Sequence, residues 1–295
     1  VARNAQAWSE DEEVTIVDIH PHIVSQDTER YPVTPIGGKR SDWSHARSVE
    51  VDELLAAMDG AGVDKAAVVH SSTTYGFNCD YVADALASHH DRLTGVFSVN
   101  VLEPGAPAAM RKWYDRGLTG MRIFSRGSTM AAPWLAIDDP LVFPCYELAG
   151  ELGISVASNI QVPNFGQLEN VLRQFPNVPH IVDHMGGADF TDGAPFEAAR
   201  PLLDLAKYPN LYLKVTTQSI AKTSDGKSTP ESQFKRLVAE FGADRLAWGS
   251  NFPASPGSLG DMVQQARTAI ASLSQADQDW VMGHTALKLY PALGK

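Results

Sequence analysis

The chain has 295 residues, 44% of them hydrophobic, enough for a large core in one or two domains. Its net charge of −11 argues against nucleic acid or an anionic membrane surface as partner, because both demand a basic face. Any anionic small molecule must then be met by local arginines or a metal ion.

At the N-terminus, Val1-Ala2-Arg3-Asn4-Ala5 shows no basic region leading into an apolar stretch, and the missing initiator Met reads as processing or trimming. Glu10-Asp11-Glu12-Glu13 reads as a solvated lead-in. The first predicted strand covers residues 14–19 and ends in Asp18-Ile19-His20-Pro21-His22. Further short β-branched runs predict strands at 65–70, 93–99, 119–124, 154–159, 180–183, 211–216 and 245–249. Apolar residues at helical spacing lie between them, as in the segments 51–58 and 167–175. Gly62, Gly117, Gly153, Asn177, Asn210 and Gly242 supply helix stops just before the next strand. Residues 275–290 read as an extra terminal helix.

Strands written as continuous apolar runs, each followed by a helix, imply a parallel sheet covered on its outer face. Eight such units predict an α/β fold, a closed (β/α)8 TIM barrel, as a single domain over residues 1–295. An open doubly wound sheet is the alternative, but no Gly-x-Gly-x-x-Gly follows a strand. Two connections are long. The first, residues 23–48, is expected to form a lid over the catalytic face, and the second, residues 218–229, is polar. Cys79 and Cys145 form no C-x-x-C and are expected as reduced thiols. No apolar run approaches the roughly 18 residues of a membrane span. The expected location is cytoplasmic; the sequence leaves oligomeric state open.

Barrel chemistry sits at the C-terminal ends of strands. His20 and His22 end the first strand and alternate onto one face, so both can converge on one point. His184 ends the sixth strand and Asn251 the eighth. A lone His-x-His is as often a core pair as a site; four such residues on one rim favour a site. These four are the catalytic candidates. Arg122, Arg126, Asn159 and Thr216 end other strands and are candidate substrate-binding residues, with a structural ion pair the competing role for Arg122. Trp43 and Trp134 fall in loops, whereas the other tryptophans read as core.

The succession of His20-Pro21-His22, Asp183-His184-Met185-Gly186 and Trp248-Gly249-Ser250-Asn251-Phe252-Pro253 resembles the amidohydrolase superfamily. The resemblance is strongest to the branch (amidohydrolase 2 type) of 2-pyrone-4,6-dicarboxylate lactonase and the sugar-lactone lactonases. It implies a (β/α)8 hydrolase, often with a divalent metal and in some lactonases without one. It also implies that His20, His22 and His184 hold a metal or polarise the scissile carbonyl, and that Arg122 binds a substrate carboxylate. At the position of Asn251 the family usually carries an aspartate that serves as general base on water.

An amide cannot take that proton near neutral pH. Three routes remain open at this point. Three neutral histidines can hold Zn2+, or another divalent metal, with a free fourth position, which lowers the pKa of bound water from about 15.7 to about 7. One histidine can itself act as base in a metal-free site. Or the reaction needs no water. The expected function is a hydrolase of a small, carboxylate-bearing cyclic ester, binding an anionic small molecule. A metal-dependent decarboxylase or other lyase on an aromatic or unsaturated acid is the alternative reading. A non-catalytic ligand-binding barrel is the third.

Overall fold

The structure, a computed structural model, describes residues 15–127, 129–130 and 132–295. The start of the first expected strand, at Val14, and the acidic run at 10–13 lie outside the described residues. Eight strands form one sheet in sequential order: β1 (Val17–Asp18), β2 (Lys65–Val69), β3 (Leu93–Phe97), β4 (Gly120–Ile123), β5 (Ser155–Ser158), β6 (His180–Val182), β7 (Leu211–Thr216) and β8 (Leu246–Gly249). All seven neighbouring pairs are parallel. Ile19 N donates to Trp248 O at 3.2 Å and draws β8 back to β1. This is the expected (β/α)8 barrel, with strands one or two residues shorter than the apolar runs that announced them, apart from β7, which matches, and β1, which keeps two residues.

Alternation along the strands separates two cores. On β7, Leu211, Leu213 and Val215 face outward into the layer shared with the helices. Tyr212 faces the lumen, so Lys214 and Thr216 belong to the lumen face by the two-residue period. On β4, Met121 and Ile123 pack outward, which turns Gly120 and Arg122 inward. The helices close the outer layer through apolar stripes. Phe165–Gln174, for example, buries Phe165, Leu168, Val171 and Leu172.

The terminal segment is more than an added helix. Gln275–Asp279 passes through a π-helical turn, Trp280–His284, into Thr285–Leu289. It delivers Ala286, Leu289, Tyr290 and Leu293 into the lumen cluster with Val17, Ile19, Ala67, Ala157 and Ala247. Small lumen side chains leave room for the fully buried Tyr290. A Cβ on Gly120 would stand 2.7 Å from the Tyr290 ring, so glycine is required there. The lumen is thereby plugged at the end opposite the site.

The long β1 connection is an ordered wall rather than a lid. Thr34 N and Ser41 N donate to Thr74 O and Thr73 O, at 2.9 and 3.2 Å. Arg47 donates to Ser255 O at 2.7 Å and Gly257 O at 2.9 Å. The second long connection opens with a short helix, Thr217–Ala221. Cys79 and Cys145 are buried free thiols, and burial pushes them up to about 12 and about 11. No described helix is long and apolar enough to cross a membrane.

Two buried histidines outside the site couple the fold to pH. His180 packs 5.4 Å from the Tyr146 ring, and its Nε2 has no partner among the described residues. His70 Nε2 bonds Gly76 O at 2.9 Å. Burial pushes both down to about 4. The unfolded chain, with histidines near 6.5, therefore binds more protons than the folded one between about pH 4 and 6.5. Stability is full above that window and falls as pH drops through it. Each histidine contributes a slope of up to about 1.4 kcal/mol per pH unit. Urea unfolding at pH 7, 5.5 and 4.5 should show this decline, and His180→Leu should flatten it by about one histidine's share. An unchanged slope in that variant would refute the assignment.

Candidate active site

At the C-terminal ends of the strands lies a cavity of about 760 Å³. His20, His22, Arg122, Asp183, His184 and Asn251 all line it. The rings of His20 and His22 are 4.9 Å apart at 85°, and those of His20 and His184 are 5.1 Å apart. The four expected catalytic residues are thus brought together, from β1, β6 and β8.

Local backbone explains how each arrives. Asp18 Oδ1 accepts from His20 N at 2.9 Å and Ser250 N at 2.8 Å, which joins the ends of β1 and β8. His22 N then bonds Phe252 O at 2.8 Å. After β6 the chain makes a left-handed turn, with φ of 53° at His184 and Met185, 62° at Gly186 and 67° at Gly187. Left-handed conformation costs an ordinary L-residue roughly 1–2 kcal/mol. A Cβ on Gly186 would meet the Phe165 ring at 2.4 Å, so only glycine passes. Asn251 also sits at φ 59°, a conformation that asparagine tolerates well. Its Nδ2 donates to Ser255 Oγ at 2.9 Å.

Asp183 is the charged centre of the site. Arg122 Nε donates to its Oδ2 at 2.7 Å, and Lys214 Nζ lies 2.8 Å from Oδ1, with all three residues buried. Burial alone would raise the Asp183 carboxyl, but Lys214 and Arg122 outweigh it and hold it well below the usual carboxylate range. His20 Nδ1 stands 3.8 Å from Asp183 Oδ1. Burial, followed by the Lys214 charge, pushes His20 well below its ordinary value. Burial and Arg122 take His22 down to about 3. His184 falls to about 4, again through burial first and then Arg122 and Lys214 against the opposing pull of Asp183. All three imidazoles are neutral at pH 7.

Hydrogen bonds orient two of the rings. His22 Nδ1 bonds Val69 O at 2.7 Å. A carbonyl only accepts, so Nδ1 carries the proton and Nε2 keeps its lone pair. His184 Nδ1 pairs with Thr216 Oγ1 at 2.7 Å. Thr216 itself is not among the residues that line the cavity; it supports His184 instead. Asn159 and Arg126 line the rim. Asn159 Oδ1 accepts from Ser125 N and Oγ, both at 3.0 Å, and Arg126 donates to Gln161 Oε1 at 2.7 Å. Asp183 closes the sixth predicted strand and Lys214 lies within the seventh, and the sequence assigned a role to neither. The signal for Lys214 was a lysine on the lumen-facing alternation of an apolar strand.

A family model for amidohydrolases matches residues 17–292. The chain belongs to the amidohydrolase family. One curated relative is 4-sulfomuconolactone hydrolase of Hydrogenophaga intermedia, 22% identical over 205 residues. That match takes in 69% of this chain but 65% of the relative, so the chain spans just under two thirds of its length. Among solved structures, a 2-pyrone-4,6-dicarboxylic acid hydrolase, so assigned as probable, from Acinetobacter baumannii with citric acid bound superposes with a TM-score of 0.75. It is 16% identical, over 94% of this chain and 99% of that one. An amidohydrolase of Burkholderia multivorans with bound zinc gives a TM-score of 0.71 at 16% identity, over 94% and 99%.

The donor types in this amidohydrolase suit zinc, since neutral imidazole is a preferred ligand. The surroundings do not. Among the described residues no group of three or more His, Cys, Asp or Glu is arranged to hold a metal ion. The Lys214 and Arg122 charges that repel a proton from the imidazoles repel a divalent cation as well. No step below is therefore routed through a metal.

Removing one partner of a buried ion pair leaves an uncompensated charge, at a cost of about 3–5 kcal/mol. Asp183→Asn, which leaves Arg122 and Lys214 both buried without their carboxylate, should lower unfolding free energy by that amount in a urea titration. Lys235→Met, at the exposed pair with Glu231 (2.6 Å), should produce no measurable change. Equal effects would show that the lumen charges are not what the core depends on.

Proposed function

We propose that the protein hydrolyses a small cyclic ester that carries a carboxylate. One pairing on the cavity floor carries this reading: an unspent guanidinium edge on Arg122 beside an imidazole lone pair on His22. Arg122 uses Nε on Asp183 and lies 5.4 Å over the Phe124 ring, while its Nη groups have no hydrogen-bond partner among the described residues. They form a ready bidentate fork for a carboxylate. His22 presents Nε2 on the ring edge opposite its Val69 bond.

The substrate carboxylate bound to Arg122 offsets the charge that, after burial, keeps His22 unprotonated, and water bound between His22 and the substrate then gives a proton to His22 Nε2 while its oxygen attacks the ester carbonyl. The developing oxyanion is met by the field of Arg122 and Lys214. Collapse breaks the ring C–O bond, and the proton returns from His22 to the leaving oxygen. Two carboxyl groups' worth of negative charge is not needed on the protein. Asn251, held on Ser255, is left to orient substrate or water through its amide. The named lactone hydrolases among the relatives support the ester as the scissile bond. His20 and His184 polarise the carbonyl in this scheme, Asn159 and Arg126 shape the rim, and Thr216 fixes His184.

A positioned general base is worth about 10²–10⁴ in rate. In a panel of carboxylated lactones followed by proton release, His22→Gln should cut kcat/KM by that factor. Asn251→Ala should cost less than tenfold. Dialysis of the wild type against a chelator should leave the rate within twofold. Carbon dioxide release from an aromatic acid with no lactone turnover would overturn the hydrolytic reading. Zinc-restored activity after chelation would overturn the metal-free route.

A further inference from the structure

The ordered wall after β1 puts one aromatic side chain where the substrate ring must lie. Trp43 lines the cavity, half-buried, with its ring 5.2 Å from that of His22 at 31°. Its indole N–H has no hydrogen-bond partner among the described residues, whereas Trp134, the other loop tryptophan, donates to Phe124 O at 2.7 Å and does not line the cavity. Trp43 is also held rigidly. Ser41 Oγ bonds Ser44 Oγ at 2.9 Å, Thr73 Oγ1 bonds Ser41 Oγ at 2.9 Å, and Arg47 pins the following residues to the β8 loop.

The rest of the lining favours a flat ring. Phe124, Met130, Ile160, Met185 and Phe190 provide apolar walls with Trp43. On the side of β4 and β5 the rim's polar side chains are committed to one another, Arg126 to Gln161 and Asn159 to the Ser125 turn, while Gln218 and Lys222 line the side of β7. A polyhydroxylated saturated ring would bring hydroxyls out of its plane against Trp43, Phe124 and Phe190, which cannot bond them, and unmet polar groups are costly to bury. A planar ring instead presents its face to the indole and its charged edge to Arg122.

We infer that Trp43 is a specificity-determining residue that stacks a planar, unsaturated ring and so selects such lactones over saturated, sugar-like ones. The inference rests on the proposed function for the reacting bond, but ring selection is read by binding alone. Isothermal titration calorimetry with two unreactive dianions separates the two questions: benzene-1,3-dicarboxylate, which is planar, and cyclohexane-1,3-dicarboxylate, which is not. The intact wild-type chain should bind the planar acid about three- to tenfold more tightly. Trp43→Leu should bring the two within twofold, and Trp43→Phe should keep the preference. Equal binding by the wild type, or an unchanged preference in Trp43→Leu, would overturn the inference whether or not any lactone is hydrolysed. If Trp43→Leu proves unfolded by circular dichroism, the wild-type ratio together with Trp43→Phe decides.

Discussion

Asp183 lies between Arg122 and Lys214 inside the barrel, and most features of the site follow from that arrangement. Ion pairs sealed from water are held only when each charge keeps its partners, since desolvation otherwise exceeds their attraction. Three strands, β4, β6 and β7, must therefore stay in register for the charges to meet. Two cations against one firmly ionised carboxylate leave the floor electropositive. Asp18, the other buried carboxylate, is pushed up by burial and does less to offset them. That balance favours an anionic ligand and keeps the imidazoles neutral.

The turns that deliver His184 and Asn251 are the second constraint. Both depart from ordinary backbone, with positive φ at non-glycine residues. Such conformations persist where the surroundings over-determine them, and they cluster at functional sites. Around His184 the Thr216 hydroxyl and the close approach of Phe165 to Gly186 hold the turn. Around Asn251, Asp18 holds Ser250 N, Ser250 Oγ accepts from Phe252 N, and Arg47 fixes Ser255 O. The wall that carries Trp43 and the turn that carries Asn251 are therefore one connected structure through Arg47.

The barrel was legible because its signals are local: eight apolar runs, a glycine or asparagine stop before most of them, and a histidine pair whose spacing matches a strand. Strand-end position also brought His20, His22, His184 and Asn251 together correctly on one rim. What was not legible depends on contacts across the lumen. The link from Arg122 to Asp183 spans 61 residues of sequence, and no local pattern marks it. Thr216 reads as a site residue from its position on β7, yet its hydroxyl is used on His184. The terminal segment gives a helical pattern, but its role as a plug rests on the small residues Ala67, Ala157, Ala247 and Gly120 scattered over four strands. The connection after β1 looked like a lid because length and polarity cannot show that backbone bonds to Thr73 and Thr74 will fix it.

The amide at position 251 fits this electrostatic setting better than its departure from the family pattern first suggests. A carboxylate there would add a negative charge to a cavity whose attraction for an anion comes from the unspent edge of Arg122. Its field would oppose the substrate's own carboxylate in a poorly solvated space, where like charges interact strongly. An amide leaves that attraction undiminished and still provides a donor and an acceptor. In the proposed hydrolysis the proton-accepting role passes to a neutral group already on the floor, and His22 has the fixed tautomer for it. An amide at position 251 and the neutral imidazole base proposed for His22 are thus two sides of one charge balance, set by the pair of cations on Asp183.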